Sequence, residues 1–435
     1  MTAYRVSPGG SLRGALDVPG DKSVSHRALI LGALADGVTE ISGLLTGADC
    51  RSTAEALAAL GADIAWTENM PVTVRGMGAD GLKAADAALD LGNSGTGLRL
   101  LAGVAAGQPF RTELTGDASL RRRPMRRIVD PLRQMGAAIE SAPGDVAPLV
   151  INGQRPLSPL RYRMPVASAQ LKSALLLAGL FVDGDTACLE PAPTRDHTER
   201  LLTQFGVDIL RDQGWIGVRG GSRLHSAAVQ VPRDLSSAAF LIVGATIAPD
   251  SDLWLERVGI NPTRTGVLHI LESMGARIDI VNPRQYGEEP VADLHVRSAP
   301  LRGVDIPPAL VPLAIDEFPA LMIAAACAEG ETTLSGAAEL RVKESDRLAA
   351  IAAGLTTLGV PLEISPDGLR VQGAARFRGG TIESGGDHRI AMAFAMAALR
   401  ADAPLTIDDV DNVATSFPNF AHVARAGGLL IEEEA

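Results

Sequence analysis

Between Pro19 and Leu29 the chain reads PGDKSVSHRAL. Lys22, Ser23, Ser25, His26 and Arg27 can all donate hydrogen bonds, and an apolar run, Ala28-Leu29-Ile30-Leu31, follows at once. The donors therefore stand where a helix opens. A helix start has unpaired N–H groups and an effective positive charge, so it favours anions. Capping accounts for Asp, Ser, Asn or Thr at such a place. It does not account for Lys or Arg in a first turn, where the dipole opposes them; these are better read as ligands for negative groups.

Other clusters extend the pattern. Gly92-Asn93-Ser94-Gly95-Thr96, Ser168-Ala169-Gln170, Asp234-Leu235-Ser236-Ser237, Asp316-Glu317 and Gly386-Asp387-His388-Arg389 each open an Ala/Leu-rich stretch. Arg121 to Arg127 holds five arginines, read either as a solvated face or as an anion clamp. Lys343 and Arg347 are spaced to share one helical face with Glu344 beside them, which would also suit a surface ion-pair helix. Thr194-Arg195-Asp196-His197-Thr198-Glu199 begins another helix, for which capping by Thr194 or Asp196 would suffice.

The elements that must position these residues repeat. An apolar helix end, a glycine and an alternating strand recur at Gly61, Gly136, Gly206, Gly275, Gly359 and, more weakly, Gly427, spaced 75, 70, 69, 84 and 68 residues apart. Each glycine reads as the left-handed residue that ends a helix. A polar helix opening lies about 40 residues before each one, and short Val/Ile/Leu strands lie between. The unit is an α/β module of ~70 residues, six times over, which suggests two domains of three. The break is expected near Val231-Pro232-Arg233-Asp234, with the N-terminal strand joining the second half: residues 1–18 plus 234–435 as one lobe and 19–233 as the other.

Composition narrows the function. The 435 residues are 46% hydrophobic, 21% charged and 3% aromatic, which suits a soluble globular enzyme whose cores rest on Ala, Leu, Ile and Val. A net charge of −11 argues against nucleic-acid binding and makes clustered cations informative. Apolar runs reach about half a membrane span, and no signal-peptide pattern opens the chain. The three cysteines, Cys50, Cys188 and Cys327, have no metal or disulfide spacing, which fits a reducing cytoplasm. The phosphate-loop pattern, the G-x-S-x-G elbow and H-E-x-x-H are all absent, so neither a cofactor nor a metal is expected.

In order along the chain, Gly20 to Arg27, Leu91 to Thr96, Arg123-Pro124-Met125, Ser168-Ala169-Gln170, Asp316-Glu317-Phe318-Pro319, Arg341 to Arg347 and Gly386 to Arg389 resemble the 5-enolpyruvylshikimate-3-phosphate synthases. Gly20-Asp21-Lys22, Ser168 to Lys172, Arg195 to Glu199 and Asn261-Pro262-Thr263-Arg264 are similar to the class II branch. The resemblance implies a two-domain inside-out α/β barrel closing over its substrates. It implies transfer of the enolpyruvyl group of phosphoenolpyruvate to the 5-hydroxyl of 3-phosphoshikimate, in the shikimate pathway to chorismate; a monomer is expected, and charge and apolar-run length lead to no expected nucleic-acid or membrane partner. By the same resemblance Lys22, Ser23, Arg27, Ser168, Ala169, Gln170, Arg195, Asp316 and Lys343 bind 3-phosphoshikimate, on the 19–233 side. Lys22, Asn93, Gly95, Arg123, Gln170, Glu344, Arg347, His388 and Arg389 bind phosphoenolpyruvate, whose lobe is the other one. Asp316, Glu344 and Lys22 are the candidates for proton transfer.

Two features qualify this. The stretch Ala414 to Pro418 lacks a lysine that some members carry, as class II members do. Gly95 stands where some herbicide-tolerant relatives have Ala, so glyphosate is expected to have room, although class II character points the other way. The alternatives are a UDP-N-acetylglucosamine enolpyruvyl transferase, which usually carries a Lys-Asn pair and a reactive loop cysteine, and a non-catalytic anion-binding homologue, which would be expected to have lost Asp316, Lys343 or Glu344.

Overall fold

A computed structural model describes residues 2–67 and 70–434. Among them are twelve α-helices: α1 (Lys22–Leu34), α2 (Ala48–Ala59), α3 (Gly95–Ala106), α4 (Arg126–Gln134), α5 (Ala169–Gly179), α6 (His197–Gln204), α7 (Leu235–Ile247), α8 (Gly266–Ser273), α9 (Phe318–Ala326), α10 (Arg347–Thr357), α11 (His388–Ala397) and α12 (Phe420–Gly427). They alternate in character. The odd-numbered helices are apolar nearly all round, and α7, α9 and α11 are buried at every position. Such helices belong inside a core. The even-numbered helices bury one face; α4 buries only Ile128, Val129, Pro131 and Leu132.

The chain divides into two compact units, residues 1–19, 232–285 and 290–435, and residues 20–231 and 286–289. The buried apolar side chains sort into two clusters that follow this division and share no member. Each unit has three buried helices inside and three sheets outside, mixed except for the antiparallel sheet of Glu331–Leu334, Leu362–Ser365 and Gly368–Gln372, with strands that alternate buried and partly buried residues. This is an inside-out α/β barrel. The sequence places all of 234–435 in one lobe. Residues 286–289 depart from it because Glu289 pairs with His197 and the Glu288 carbonyl accepts from Arg200.

The modules are alike. Leu89–Asp90 and Arg111–Thr115 flank α3 and pair in parallel, and an antiparallel hairpin, Ala138–Ala142 with Val146–Asn152, completes the sheet. Two modules exchange their first strands. Arg13–Leu16 precedes α1 but pairs with Asp252–Gly259, which follows α7. Ala228–Gln230 precedes α7 but pairs with Asp36–Ser42, which follows α1. The last module takes its central strand, Ala3–Val6, from the start of the chain.

The helix-ending glycines behave as expected at five places: Gly61, Gly136, Gly206, Gly275 and Gly359 have φ between 80° and 105°. The sixth expectation is off by one, because Gly427 is still helical and Gly428, at φ 115°, is the left-handed cap. No described helix is long and apolar enough to cross a membrane.

Closeness of the buried helices sets a limit on side-chain size. A Cβ on Gly103 of α3 would lie 2.3 Å from the Ala174 carbonyl oxygen of α5. Gly103→Ala is expected to cost about 1–3 kcal/mol by overpacking. Urea unfolding should show the loss; an unchanged midpoint would mean that the two helices separate freely.

Candidate active site in two clusters of helix starts

In the unit of residues 20–231, five donors at the start of α1 divide into two groups. Ser25, His26 and Arg27 are all buried, and the first two serve the fold. Ser25 Oγ accepts from the Leu45 N–H at 3.0 Å. His26 Nδ1 lies 2.8 Å from Thr53 Oγ1 and its Nε2 lies 3.4 Å from Ser94 Oγ. Because Thr53 donates to the Asp49 carbonyl, it accepts from Nδ1–H, leaving Nε2 to accept from Ser94, which itself caps α3 at Gly97 N–H. The ring is therefore neutral, and burial, reinforced by the nearby Lys22 and Arg27 charges, holds its pKa well below 6.5.

Arg27 donates to Thr198 Oγ1 at 2.6 Å, the Ser23 carbonyl at 2.8 Å and Ser173 Oγ at 2.7 Å. These take three of its five N–H groups. Burial pushes its pKa down to about 10; Glu199 and Asp21 act upward, and the Arg195 charge again opposes protonation. Arg195 stands three residues before Thr198, the partner of Arg27, so two cations serve the same turn. Lys22 and Ser23 remain half-buried, and Lys22 Nζ meets Asp49 Oδ2 at 2.8 Å.

At the starts of α3 and α5, Ser94 and Ser168 are the caps. Arg123 is buried and donates to Asn93 Oδ1 at 2.6 Å, while Asn93 Nδ2 donates to Asp117 at 2.7 Å. Arg99 donates to Gln170 Oε1 at 2.6 Å and to the Pro124 carbonyl at 3.1 Å, and Gln170 Nε2 reaches Thr96 Oγ1 at 3.0 Å. A Cβ on Gly95 would lie 3.0 Å from Arg123 Nη1 and 3.1 Å from Arg99 Nη1. The absence of a side chain there thus lets two guanidiniums approach a helix start. In the arginine run, Arg121, Arg122 and Arg126 are exposed, and Arg126 pairs with Asp145.

The Arg195 segment is not held by capping. Asp196 precedes α6 without a side-chain cap bond and pairs with Arg200 at 2.8 Å; Thr194 donates to Glu190. His197, Thr198 and Glu199 are buried instead, each on a different partner: Glu289, Arg27 with Ser173, and Lys172. Lys172 keeps its proton strongly: burial acts downward on its pKa, but Glu199 and Glu190 outweigh it and raise it.

In the other unit, Arg347 has no exposed side-chain surface. Its Nε and Nη2 fork onto Asp387 at 2.8 and 3.3 Å, Nη2 also meets Glu344 at 2.6 Å, and Nη1 meets Asp316 at 3.2 Å. Burial alone would lower its pKa, yet Asp387, Glu344 and Asp316 together raise it. Asp316 also faces Lys343 at 3.5 Å and Arg389 at 4.0 Å, and its carbonyl accepts from Arg389 Nη1 at 3.2 Å. Asp387 caps α11, whose first residue, His388, is buried. Lys343 and Arg347 do not share a helical face. Lys343 is extended, α10 starts only at Arg347 with Asp346 as its cap, and Ser345 Oγ donates to Asp387 at 3.0 Å. The break lets Lys343 and Arg347 converge on one carboxylate.

Within each unit the expected residues are thus gathered: Lys22, Ser23, Arg27, Asn93, Gly95, Arg123, Ser168, Ala169, Gln170 and Arg195 around the starts of α1, α3, α5 and α6, and Asp316, Lys343, Glu344, Arg347, His388 and Arg389 around those of α9 to α11. Asp49 and Arg99 complete these networks and carry no signal in the sequence, while Asp387 belongs to the Gly386–Arg389 opening and adds the fork onto Arg347. The partners of Asp49 and Arg99 lie 27 and 71 residues away, so no local pattern marks these two. No described group of His, Cys, Asp and Glu is arranged to hold a metal ion.

The neutral His26 has a consequence for stability. Its folded pKa lies below the unfolded 6.5, so its contribution is full above pH 6.5 and fades as pH falls below that value. Replacing it by Gln should narrow the stability gap to the unaltered protein as pH drops from 7 to 5, as read by urea unfolding. A gap that widens on acidification would contradict a neutral ring.

The family model described as EPSP synthase (3-phosphoshikimate 1-carboxyvinyltransferase) matches residues 6–423. The chain is 60% identical over 428 residues to the 3-phosphoshikimate 1-carboxyvinyltransferase of Alkalilimnicola ehrlichii, covering 98% of this chain and 96% of that one. Among solved structures, EPSP synthase from Acinetobacter baumannii superposes with a TM-score of 0.89 at 49% identity over 100% of both chains. The enolpyruvyl transferase NikO from Streptomyces tendae, at 20% identity and a TM-score of 0.81, shares the fold over 100% of this chain and 99% of its own. With the family model spanning nearly the whole sequence, the chain belongs to the EPSP synthase family.

Proposed function

We propose that this enzyme transfers the enolpyruvyl group of phosphoenolpyruvate to the 5-hydroxyl of 3-phosphoshikimate and releases phosphate. The observation that carries the reading is Asp316, a carboxylate within 4.0 Å of Lys343, Arg347 and Arg389 with Glu344 on the same arginine. Such a cluster suits two polyanionic substrates and a proton moved between oxygen and carbon. Arg347 is a fixed charge, since carboxylates hold it on three sides. Lys343 and Arg389 are held more loosely and can turn from Asp316 to an incoming phosphate or carboxylate.

In this reading Lys22, Ser23, Arg27, Ser168, Ala169, Gln170 and Arg195, with Asp316 and Lys343, bind 3-phosphoshikimate. Lys22, Asn93, Gly95, Arg123, Gln170, Glu344, Arg347, His388 and Arg389 bind phosphoenolpyruvate. The 5-oxygen attacks C2 of phosphoenolpyruvate as its proton leaves to a carboxylate, and the methylene carbon takes a proton to become methyl. The resulting tetrahedral ketal loses phosphate as the C2–O bond breaks and the methyl group returns a proton. Asp316, Glu344 and Lys22 share these transfers, and the cations stabilise the departing phosphate. The enzyme acts as a monomer in the cytoplasm.

Phosphate release from phosphoenolpyruvate tests this directly. Release should require 3-phosphoshikimate; release with UDP-N-acetylglucosamine instead, or none at all, would refute the reading. Asp316→Ala should lower kcat by about 10²–10⁴-fold, the usual weight of a proton-transfer group. Full activity would remove Asp316 from the chemistry.

The two guanidiniums close to Gly95 give a second prediction. A methyl group at 3.0 Å from Arg123 must push that guanidinium aside. Gly95→Ala should therefore weaken inhibition by glyphosate, a phosphoenolpyruvate mimic, and raise the KM for phosphoenolpyruvate. Equal inhibition of both proteins would contradict the steric argument.

A further inference from the structure

Four residues of the 20–231 unit arrive from far along the chain. Tyr286 to Glu289 form the tip of a hairpin, Arg277–Tyr286 with Glu289–Arg297, whose strands otherwise belong to the other unit. The tip grips α6 on one face. Glu289 Oε1 lies 2.7 Å from His197 Nδ1, Arg200 Nη1 donates to the Glu288 carbonyl at 2.6 Å, and Gln204 lies against Gly287. Positions 197, 200 and 204 follow the helical repeat of one face. Glu289 and His197 are 3% and 2% exposed, so this contact is part of the interior.

The residues next to His197 reach the other way. Thr198 accepts from Arg27 and donates to Ser173, and Glu199 meets Lys172 at 2.8 Å. The first turn of α6 is thus clamped between the hairpin tip and the starts of α1 and α5. Arg195 lies just before that turn. None of Glu289, His197 or Glu288 belongs to the binding set described above, yet they fix the turn on which the Arg27 and Arg195 charges depend.

We propose that Glu289, through His197, is a positioning residue for the Arg27–Arg195 anion seat, and that it governs affinity for a phosphate ester without touching it. The inference rests on the reading that this seat takes 3-phosphoshikimate. Without Glu289 the tip loses its buried hold on α6, and the turn bearing Arg195 and Thr198 shifts relative to Arg27. Displacements near 1 Å in such sites carry large penalties.

The test is the affinity of the intact protein for 3-phosphoshikimate alone, compared with the KM for phosphoenolpyruvate. Glu289→Ala should weaken 3-phosphoshikimate binding by about tenfold or more, while the KM for phosphoenolpyruvate stays within about twofold. Glu289→Gln keeps an acceptor for His197 Nδ1–H and should restore most of the affinity. Unchanged affinity in the folded Ala variant, or equal losses for both substrates, would overturn the proposal. If the Ala variant does not fold, Glu289→Asp, one methylene short, must show the same selective loss or the proposal fails. Inorganic phosphate is the second probe. If the unaltered protein ignores 3-phosphoshikimate, the function reading falls, while the change in phosphate affinity between the unaltered protein and the Glu289 variants still decides the role of the tip.

Discussion

Burying a whole helix obliges its first turn to find acceptors for N–H groups that no preceding carbonyl can reach. Six of the described helices are buried over all or most of their length, and five solve the problem with Asp21, Ser94, Ser168, Asp234 and Asp387. Polar groups are thereby drawn to the ends of otherwise apolar rods. Once there, the acidic caps also hold cations: Asp387 accepts both the N–H of Arg389 and the Arg347 fork. Asp234 likewise holds Arg264 at 3.1 Å. One physical requirement therefore both stabilises the cores and concentrates charged side chains at the helix starts.

The burial of Arg347 shows what such an arrangement demands. A guanidinium with no exposed surface would be prohibitive alone, since removing one partner of a buried pair typically costs about 3–5 kcal/mol. Three carboxylates share the charge. The same carboxylates keep the cations matched one for one before any ligand arrives, so an incoming anion exchanges partners rather than entering a field of uncompensated charge.

Much of this was legible from the sequence for reasons of range. The apolar rods, their polar openings and five of the six terminal glycines are local features, set by residues a few places apart. Gly427 misled because two glycines adjoin and the helix runs one residue further. Lys343 misled because spacing of four resembles a helical face, whereas Asp346 caps the helix after it. Asp49, Arg99 and the tip residue Glu289 could not be read at all, since each acts on a partner brought near only by the fold; Glu289 is 92 residues from His197.

The strand exchange has a consequence for how the chain reaches this state. The sheet beside α1 lacks an edge until residues 228–230 exist, and residues 3–6 find their place only between Leu405–Asp408 and Ile431–Glu434. Residues 3–6 are thus among the last to be paired. They must wait with open edges until residues 405–434 have been made, which makes their pairing a late, long-range event.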